Sequence, residues 1–161
     1  MKDVYLTGST GFVGTSIINY LKLKQIGIYK RSDEINIGKA STVIHVAGKA
    51  HDFKNTSVPN EYYEVNTKLT KQIFDAFLVS EAKVFITLSS VKAVADEVQG
   101  NLTEEHFPNP ITHYGKSKLL AEQYILSKEI PAGKSDDIAD KQSGRLTHDE
   151  WGTEQIGRAH V

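Results

Sequence analysis

Apolar residues along this chain gather in short dense runs that alternate with longer segments in which they recur every three or four positions. The dense runs predict buried β-strands, because parallel strands that are covered on both faces carry near-continuous apolar residues. Four such runs occur: DVYLT at 3–7, IGIYK at 26–30, TVIHVAG at 42–48 and KVFITLSS at 83–90.

The spaced segments predict three helices. The first follows the glycine-rich stretch GSTGFVG, the second covers roughly Asn60 to Ser80, and the third opens at Tyr114. The resulting order β-α-β-β-α-β-α predicts an α/β fold, a Rossmann-type doubly wound parallel sheet, because right-handed crossovers place helices on both faces. We expect residues 1–131 to form this one domain.

The pattern stops after SKEIP, which ends at Pro131. Residues 132–161 are polar, follow neither apolar period, and contain the only tryptophan. A sheet of this type should continue with another apolar strand, so we expect a truncated sheet followed by an irregular tail that is non-native or disordered. Its last six residues, IGRAHV, resemble one translated frame of a common sequencing-library adapter. This match favours a read-through or frameshift artefact from about Lys134 onward over a natural disordered tail.

Composition narrows the possible partners and compartment. The formal net charge is −1 without a basic block, so electrostatics give no reason to expect binding to nucleic acid or to an anionic membrane. The absence of cysteine excludes disulfides, thiolate metal sites and a cysteine nucleophile. Neither a long apolar span nor a signal peptide is present, so we expect a soluble cytoplasmic protein.

Three glycines, Gly8, Gly11 and Gly14, follow the first predicted strand at intervals of three. Glycine at such a turn allows backbone N–H groups to approach a pyrophosphate and lets the next helix pack closely on the strand. The spacing departs from the common G-x-G-x-x-G fingerprint, and a purely structural glycine turn is the alternative. Its place at the first strand-to-helix turn favours dinucleotide binding.

The segment THYGKSK places Tyr114 and Lys118 four positions apart. On a helix these side chains share one face, and a nearby ammonium favours the phenolate form that proton transfer requires. Taken alone, the spacing is more typical of a surface helix start with a half-buried tyrosine.

TGSTGFVG, LSSVK and YGKSK, in this order and context, resemble the extended short-chain dehydrogenases/reductases of the NAD(P)-dependent nucleotide-sugar epimerase/dehydratase group. The resemblance covers residues 1 to about 131. It implies that Tyr114 is the acid/base, that Lys118 favours its ionisation and holds the nicotinamide ribose, and that Ser90 hydrogen-bonds the reacting sugar oxygen. Ser89 is a second candidate for that donor role.

The resemblance also implies which residues bind the cofactor. Asn66 matches an asparagine that supports the site in the family, although ordinary helix surface is an equal alternative. The implied cofactor-binding residues are Gly8, Thr10, Gly11, Phe12, Val13, Gly14, Arg31, Ala47, Gly48, Asn66 and Lys118.

The second strand ends in Lys30 and Arg31, with Asp33 and Glu34 close behind. An arginine here accommodates a 2′-phosphate, whereas an acidic residue binds the free ribose hydroxyl, so both NADP and NAD stay open. The basic pair comes first, which favours NADP.

A metal site is not expected, because His45, His51 and Asp52 have no second cluster with ligand spacing. The favoured function is a nucleotide-sugar epimerase, dehydratase or 4-keto reductase that works by reversible hydride transfer. A UDP-sugar is the expected substrate, since Lys92 makes the motif SSVK resemble the branch of reductases and epimerases that act on UDP-linked amino sugars. The full-length form is expected to be a homodimer. The alternatives are a non-catalytic NADP(H)-binding sensor and an inactive truncated product.

Overall fold

The computed structural model of the protein describes residues 4–21, 26–28, 34–50, 58–97, 100–103 and 105–134. Its strands are β1 (Val4–Thr7), β2 (Ile26–Ile28), β3 (Thr42–His45) and β4 (Val84–Thr87). Its helices are α1 (Phe12–Leu21), α2 (Pro59–Tyr62), a π-helical segment (Tyr63–Lys68), α3 (Leu69–Val79), a 3₁₀ turn (Val91–Ala93) and α4 (His113–Leu126). No helix within these ranges is long and apolar enough to cross a membrane.

The four strands form one parallel sheet in the order β2-β1-β3-β4. The chain moves outward from β1 to β2 and then returns to place β3 on the other side of β1. This reversal makes the ends of β1 and β3 a topological switch point, where open α/β sheets bind ligands.

The described residues divide into two compact units. The first contains the sheet and draws on Met1–Gly48, Gln72–Thr87 and Glu129–Ile138, and the second draws on Lys49–Lys71 and Leu88–Lys128.

Helices cover both faces of the sheet in the first unit. On one face, α1 packs Ile17 and Ile18 against Leu6 and Ile44. On the opposite face, the α3 side chain Phe74 meets Phe85 of β4 with ring centroids 4.9 Å apart. Because each face carries its own helix, the predicted doubly wound parallel fold is confirmed.

The end of α3 is capped by Lys134. Its ammonium donates hydrogen bonds to the carbonyl oxygens of Phe77 at 2.6 Å and Ser80 at 2.5 Å, which is the favourable place for a cation at a helix C-terminus. Burial lowers the pKa of Lys134, and Lys83 adds to the shift. The structure therefore describes residues 132–134 of the predicted tail, whereas residues 135–161 lie outside the described ranges and their assignment stays a prediction.

In the second unit, α4 packs on the π-helical segment and on the 3₁₀ turn. Thr112 caps its start, because the Thr112 hydroxyl accepts the Gly115 N–H at 3.1 Å. A Cβ on Gly115 would lie 2.2 Å from the Lys92 carbonyl oxygen. Only glycine permits this close contact between α4 and the turn.

Candidate active site

The glycine turn between β1 and α1 is tightly packed at two of its three glycines. Gly8 has φ of 75°, and a Cβ there would lie 2.5 Å from the Ala47 backbone nitrogen. A Cβ on Gly14 would lie 2.1 Å from the Gly8 carbonyl oxygen. At Gly11 the nearest atom to an added Cβ is 3.4 Å away, and the residue is exposed. Gly8 and Gly14 therefore serve close packing, whereas Gly11 leaves open space above the turn.

The remaining turn residues predicted to bind cofactor are Thr10, Phe12 and Val13, and all three are exposed at the start of α1. Ala47 and Gly48 follow β3, so they lie at the same sheet end as the turn. The predicted contact of Arg31 lies outside the described residues.

A buried hydrogen-bond chain supports this end of the sheet. The Ala47 N–H donates to the Thr7 hydroxyl oxygen at 3.2 Å, and the same oxygen lies 2.6 Å from His45 Nδ1. Thr7 and His45 are both fully or almost fully buried. His45 therefore has a structural partner in the sheet. The described part of the chain holds no group of three metal-ligating side chains, while His51 and Asp52 lie outside it.

The two serines after β4 have different partners. The Ser89 hydroxyl donates to the Glu122 carboxylate. Ser90 precedes the 3₁₀ turn, and its hydroxyl oxygen accepts the Lys92 N–H at 3.3 Å. Among the described residues, the Ser90 hydroxyl hydrogen has no acceptor, so it can donate to a bound molecule.

Tyr114 and Lys118 lie on the first two turns of α4 and are both half-buried. The Lys118 ammonium donates to the Leu88 carbonyl oxygen at 3.1 Å. Burial lowers the pKa of Lys118, and the Glu122 carboxylate opposes that shift. The Tyr114 ring meets the Tyr62 ring edge-on at 6.1 Å, which orients the phenol.

Asn66 lies in the π-helical segment and is 1% exposed, which excludes the surface alternative. Its Oδ1 accepts the Lys49 N–H at 2.7 Å, and its Nδ2 donates to the Lys49 carbonyl at 3.1 Å and to the Ser117 hydroxyl at 3.0 Å. The Ser117 hydroxyl in turn donates to the Tyr114 carbonyl at 2.7 Å. Through Ser117, which lies between Tyr114 and Lys118 in the sequence, Asn66 thereby holds the first turns of α4 in place.

Asp96 organises the start of α4 and was not identified from the sequence. Its carboxylate accepts the N–H groups of Ile111 at 2.6 Å and Thr112 at 2.9 Å, and the Thr112 hydroxyl at 2.8 Å. Lys92 Nζ lies 3.6 Å away. Burial raises the pKa of Asp96, but these hydrogen bonds and the Lys92 charge outweigh it and hold the pKa below its ordinary 3.8.

We expect Asp96→Ala to lower the free energy of unfolding by about 2 kcal/mol at neutral pH, because the hydrogen bonds of a charged carboxylate to the start of α4 are lost. Urea denaturation measures this change. Since the folded pKa is depressed, the contribution is present above pH 3.8 and is lost as pH falls through the folded value, so the two stability curves should converge there.

The exposed neighbour Glu97 supplies the control, and Glu97→Ala should change stability by less than about 0.5 kcal/mol. Equal stability of the wild type and Asp96→Ala at neutral pH would contradict this role for Asp96.

The second unit thus holds Ser90, Tyr114, Lys118 and Asn66, and the first holds the glycine turn with Ala47 and Gly48. Ser117, Glu122 and Asp96 were missed by sequence reasoning. Thr112 was also missed, although a threonine directly before a helix is a common cap and could have been found.

Comparison with known proteins identifies relatives of this chain. The chain is 31% identical over 156 residues to UDP-glucose 4-epimerase of Vibrio cholerae, covering 78% of this chain and 47% of that protein. It is 30% identical over 143 residues to N-acetyl-alpha-D-glucosaminyl-diphospho-ditrans,octacis-undecaprenol 4-epimerase of Escherichia coli O157:H7, covering 76% and 42%. The chain spans about half the length of the curated relatives it matches.

Solved structures share the fold. MoeE5 in complex with UDP-glucose and NAD matches with a TM-score of 0.68 at 24% identity, over 78% of this chain and 48% of that chain. RMD from Pseudomonas aeruginosa complexed with NADPH matches with a TM-score of 0.63 at 22% identity, over 78% and 48%. The profile of the NAD dependent epimerase/dehydratase family matches residues 4–129, and the chain therefore belongs to that family, as its motifs predicted.

Proposed function

We propose that this chain is the cofactor-binding and catalytic part of an NAD(P)-dependent nucleotide-sugar oxidoreductase of the epimerase, dehydratase or 4-keto reductase type. The observation that carries the proposal is the Lys118 ammonium on the Leu88 carbonyl. This contact places the helix that bears Tyr114 against the segment that leads directly to Ser90. A phenol, an ammonium and a hydroxyl donor thus belong to one compact unit.

The glycine turn fits a dinucleotide. Gly8 and Gly14 bring the turn, β3 and α1 together as closely as backbone atoms allow, and the space at Gly11 stays open. The helix N-terminus that follows offers N–H groups and a positive dipole end to phosphates. A nicotinamide cofactor, when bound, supplies the hydride chemistry that this family name implies.

The side chains of the second unit supply the matching proton chemistry. Removing a hydride from a carbinol carbon requires that its oxygen lose a proton, and the reverse step requires that the oxygen gain one. We assign that transfer to the Tyr114 hydroxyl. Lys118 stabilises the phenolate form and holds the ribose, and the Ser90 hydroxyl donates a hydrogen bond to the sugar oxygen. Ser89 is less suited to that role because its hydroxyl already donates to Glu122.

A nucleotide sugar, most suitably a UDP-sugar, is the proposed substrate, and a homodimer is the proposed full-length form. The names of the Vibrio cholerae relative and of MoeE5 with UDP-glucose and NAD support the substrate class. The competing function is a non-catalytic sensor of NADP(H). Retention of Ser90, Tyr114 and Lys118 favours the enzyme, since a sensor has no need of a proton-transfer group.

The test combines cofactor binding with turnover. Nicotinamide fluorescence titration of this chain should show binding. A version that includes the second half found in the relatives should then convert a UDP-sugar. Tight binding without conversion of any nucleotide sugar would favour the sensor, and failure to bind either nicotinamide would reject both functions.

We expect NADPH to bind this chain more tightly than NADH, because Lys30 and Arg31 directly follow the second apolar run and can neutralise a 2′-phosphate. Side-by-side fluorescence titrations measure the preference. Arg31→Ala should weaken NADPH binding by about tenfold, equivalent to one lost charged contact, and leave NADH binding nearly unchanged. A preference for NADH in both proteins would contradict the assignment and favour Asp33 or Glu34 as the ribose ligand.

A further inference from the structure

One face of α4 holds the segment that links β4 to Ser90. Lys118 and Glu122 share this face because they are four residues apart on the helix. The Lys118 ammonium binds the Leu88 carbonyl at 3.1 Å, and the Glu122 carboxylate accepts the hydroxyl hydrogen of Ser89. Two consecutive residues directly before Ser90 are therefore attached to the helix that carries Tyr114.

The chain after Ser90 is attached to the same helix. The Ser90 hydroxyl oxygen accepts the Lys92 N–H, and the Lys92 carbonyl lies so close to Gly115 that a Cβ there would be 2.2 Å away. Ser90 is thus held from both sides by contacts with α4. On the β4 side, Lys118 contacts a backbone carbonyl, whereas Glu122 contacts the side chain of Ser89, the residue directly before Ser90.

Glu122 also acts on Lys118 through its charge. Lys118 is half-buried, and burial lowers its pKa because an ammonium loses hydration there. Its hydrogen-bond partner at Leu88 is a neutral carbonyl. The Glu122 carboxylate raises the pKa of Lys118 and so favours the charged ammonium.

We propose that Glu122 is a positioning residue: through Ser89 it fixes the Ser90 hydroxyl relative to α4, and from the same helix face as Lys118 its negative charge favours the ammonium form of that lysine. The proposal rests on the proposed function, in which Ser90 and Lys118 act on substrate and cofactor. In this role Glu122 acts through Ser89 and Lys118 and not on the substrate itself.

Two substitutions separate the two effects, and NMR of this chain reads both without cofactor or substrate. Glu122→Ala removes the acceptor and the charge, so we expect the Ser90 amide resonance to move and the Lys118 side-chain titration midpoint to fall. Glu122→Gln keeps an oxygen acceptor and loses the charge. It should restore the Ser90 amide resonance and leave the Lys118 midpoint low.

Glu64→Gln is the matched control, because Glu64 is an exposed carboxylate that pairs with Lys68 one helical turn away. It should change neither the Ser90 amide nor the Lys118 midpoint. An unchanged Lys118 midpoint in both Glu122 variants, or an unmoved Ser90 amide in Glu122→Ala, would overturn the proposal. So would a Glu122→Gln chain that loses its amide dispersion, since a positioning residue replaced by a near-isostere must leave the fold intact.

A parallel fluorescence titration of the wild type with NADPH and NADH keeps the two proposals separate. Absence of cofactor binding together with the expected NMR changes rejects the proposed function and supports the contacts of Glu122. Cofactor binding without the NMR changes rejects the role of Glu122 alone.

Discussion

Replacing Tyr114 by phenylalanine should lower turnover of a UDP-sugar by about 10²-fold or more, in a version that includes the second half of the family's length. The substitution removes the hydroxyl that exchanges the proton and keeps the ring that meets Tyr62 at 6.1 Å. The fold and the cofactor affinity should therefore be nearly unchanged. Steady-state kinetics, combined with a nicotinamide fluorescence titration of the same protein, measure both quantities.

Two further variants on α4 sharpen this expectation. Tyr124→Phe removes a hydroxyl from the same helix, on a ring that Lys71 and Lys128 contact, and should leave turnover unchanged. Lys118→Met should lower turnover and weaken cofactor binding together, because its ammonium is assigned to both the phenolate and the ribose. A Tyr114→Phe protein with wild-type turnover would remove the basis for the proposed mechanism.

The order of strands and helices was predictable because each element buries an apolar pattern of its own period. The strand TVIH, for example, is buried over its last three residues, as a central parallel strand must be. Strand ends were less predictable. The apolar run continues to Gly48, but the pairing of β3 with β1 and β4 ends at His45. The small residues Ala47 and Gly48 lie beyond the strand, at the sheet end where the glycine turn begins.

The π-helical segment was not predicted. Val65, Leu69, Ile73 and Phe77 step by four, and this spacing predicts one continuous helix over residues 60–80. A strict step of four drifts away from one face of a helix with 3.6 residues per turn. The segment Tyr63–Lys68 has the wider π-helical turn, and it contains the buried Asn66. Because π-helical segments are rare, apolar spacing alone is a weak signal for one. They often lie at functional sites.

Residues proposed to act in the chemistry are easier to find in the sequence than the residues that hold them in place. Tyr114, Lys118 and the glycines belong to short motifs with a recognisable spacing. Asp96 and Glu122 act on partners that are 16 and 33 residues away in sequence, and nothing in the chain marks those pairs before folding. Their function is set by tertiary packing, which a pattern of local periods does not contain.

The glycine turn offers the second large expected effect. Gly14→Ala should lower the free energy of unfolding by about 3 kcal/mol, because its methyl group would lie 2.1 Å from the Gly8 carbonyl oxygen and α1 must move to avoid it. The same movement displaces the helix N-terminus from the turn, so NADPH affinity should fall by tenfold or more. Urea denaturation and fluorescence titration of the variant measure the two effects.

Gly11→Ala is the matched control within the same turn. Its methyl group meets only the Gly8 carbonyl oxygen at 3.4 Å, so stability should stay within about 0.5 kcal/mol of the wild type. The added methyl group lies on the open side of the turn and should still obstruct the pyrophosphate of the cofactor, so NADPH affinity should fall by about tenfold. A Gly11→Ala chain with wild-type affinity would show that the cofactor does not approach this turn. A Gly14→Ala chain with wild-type stability would contradict the close packing of α1, because no side chain can relax to admit a methyl group between two backbone segments.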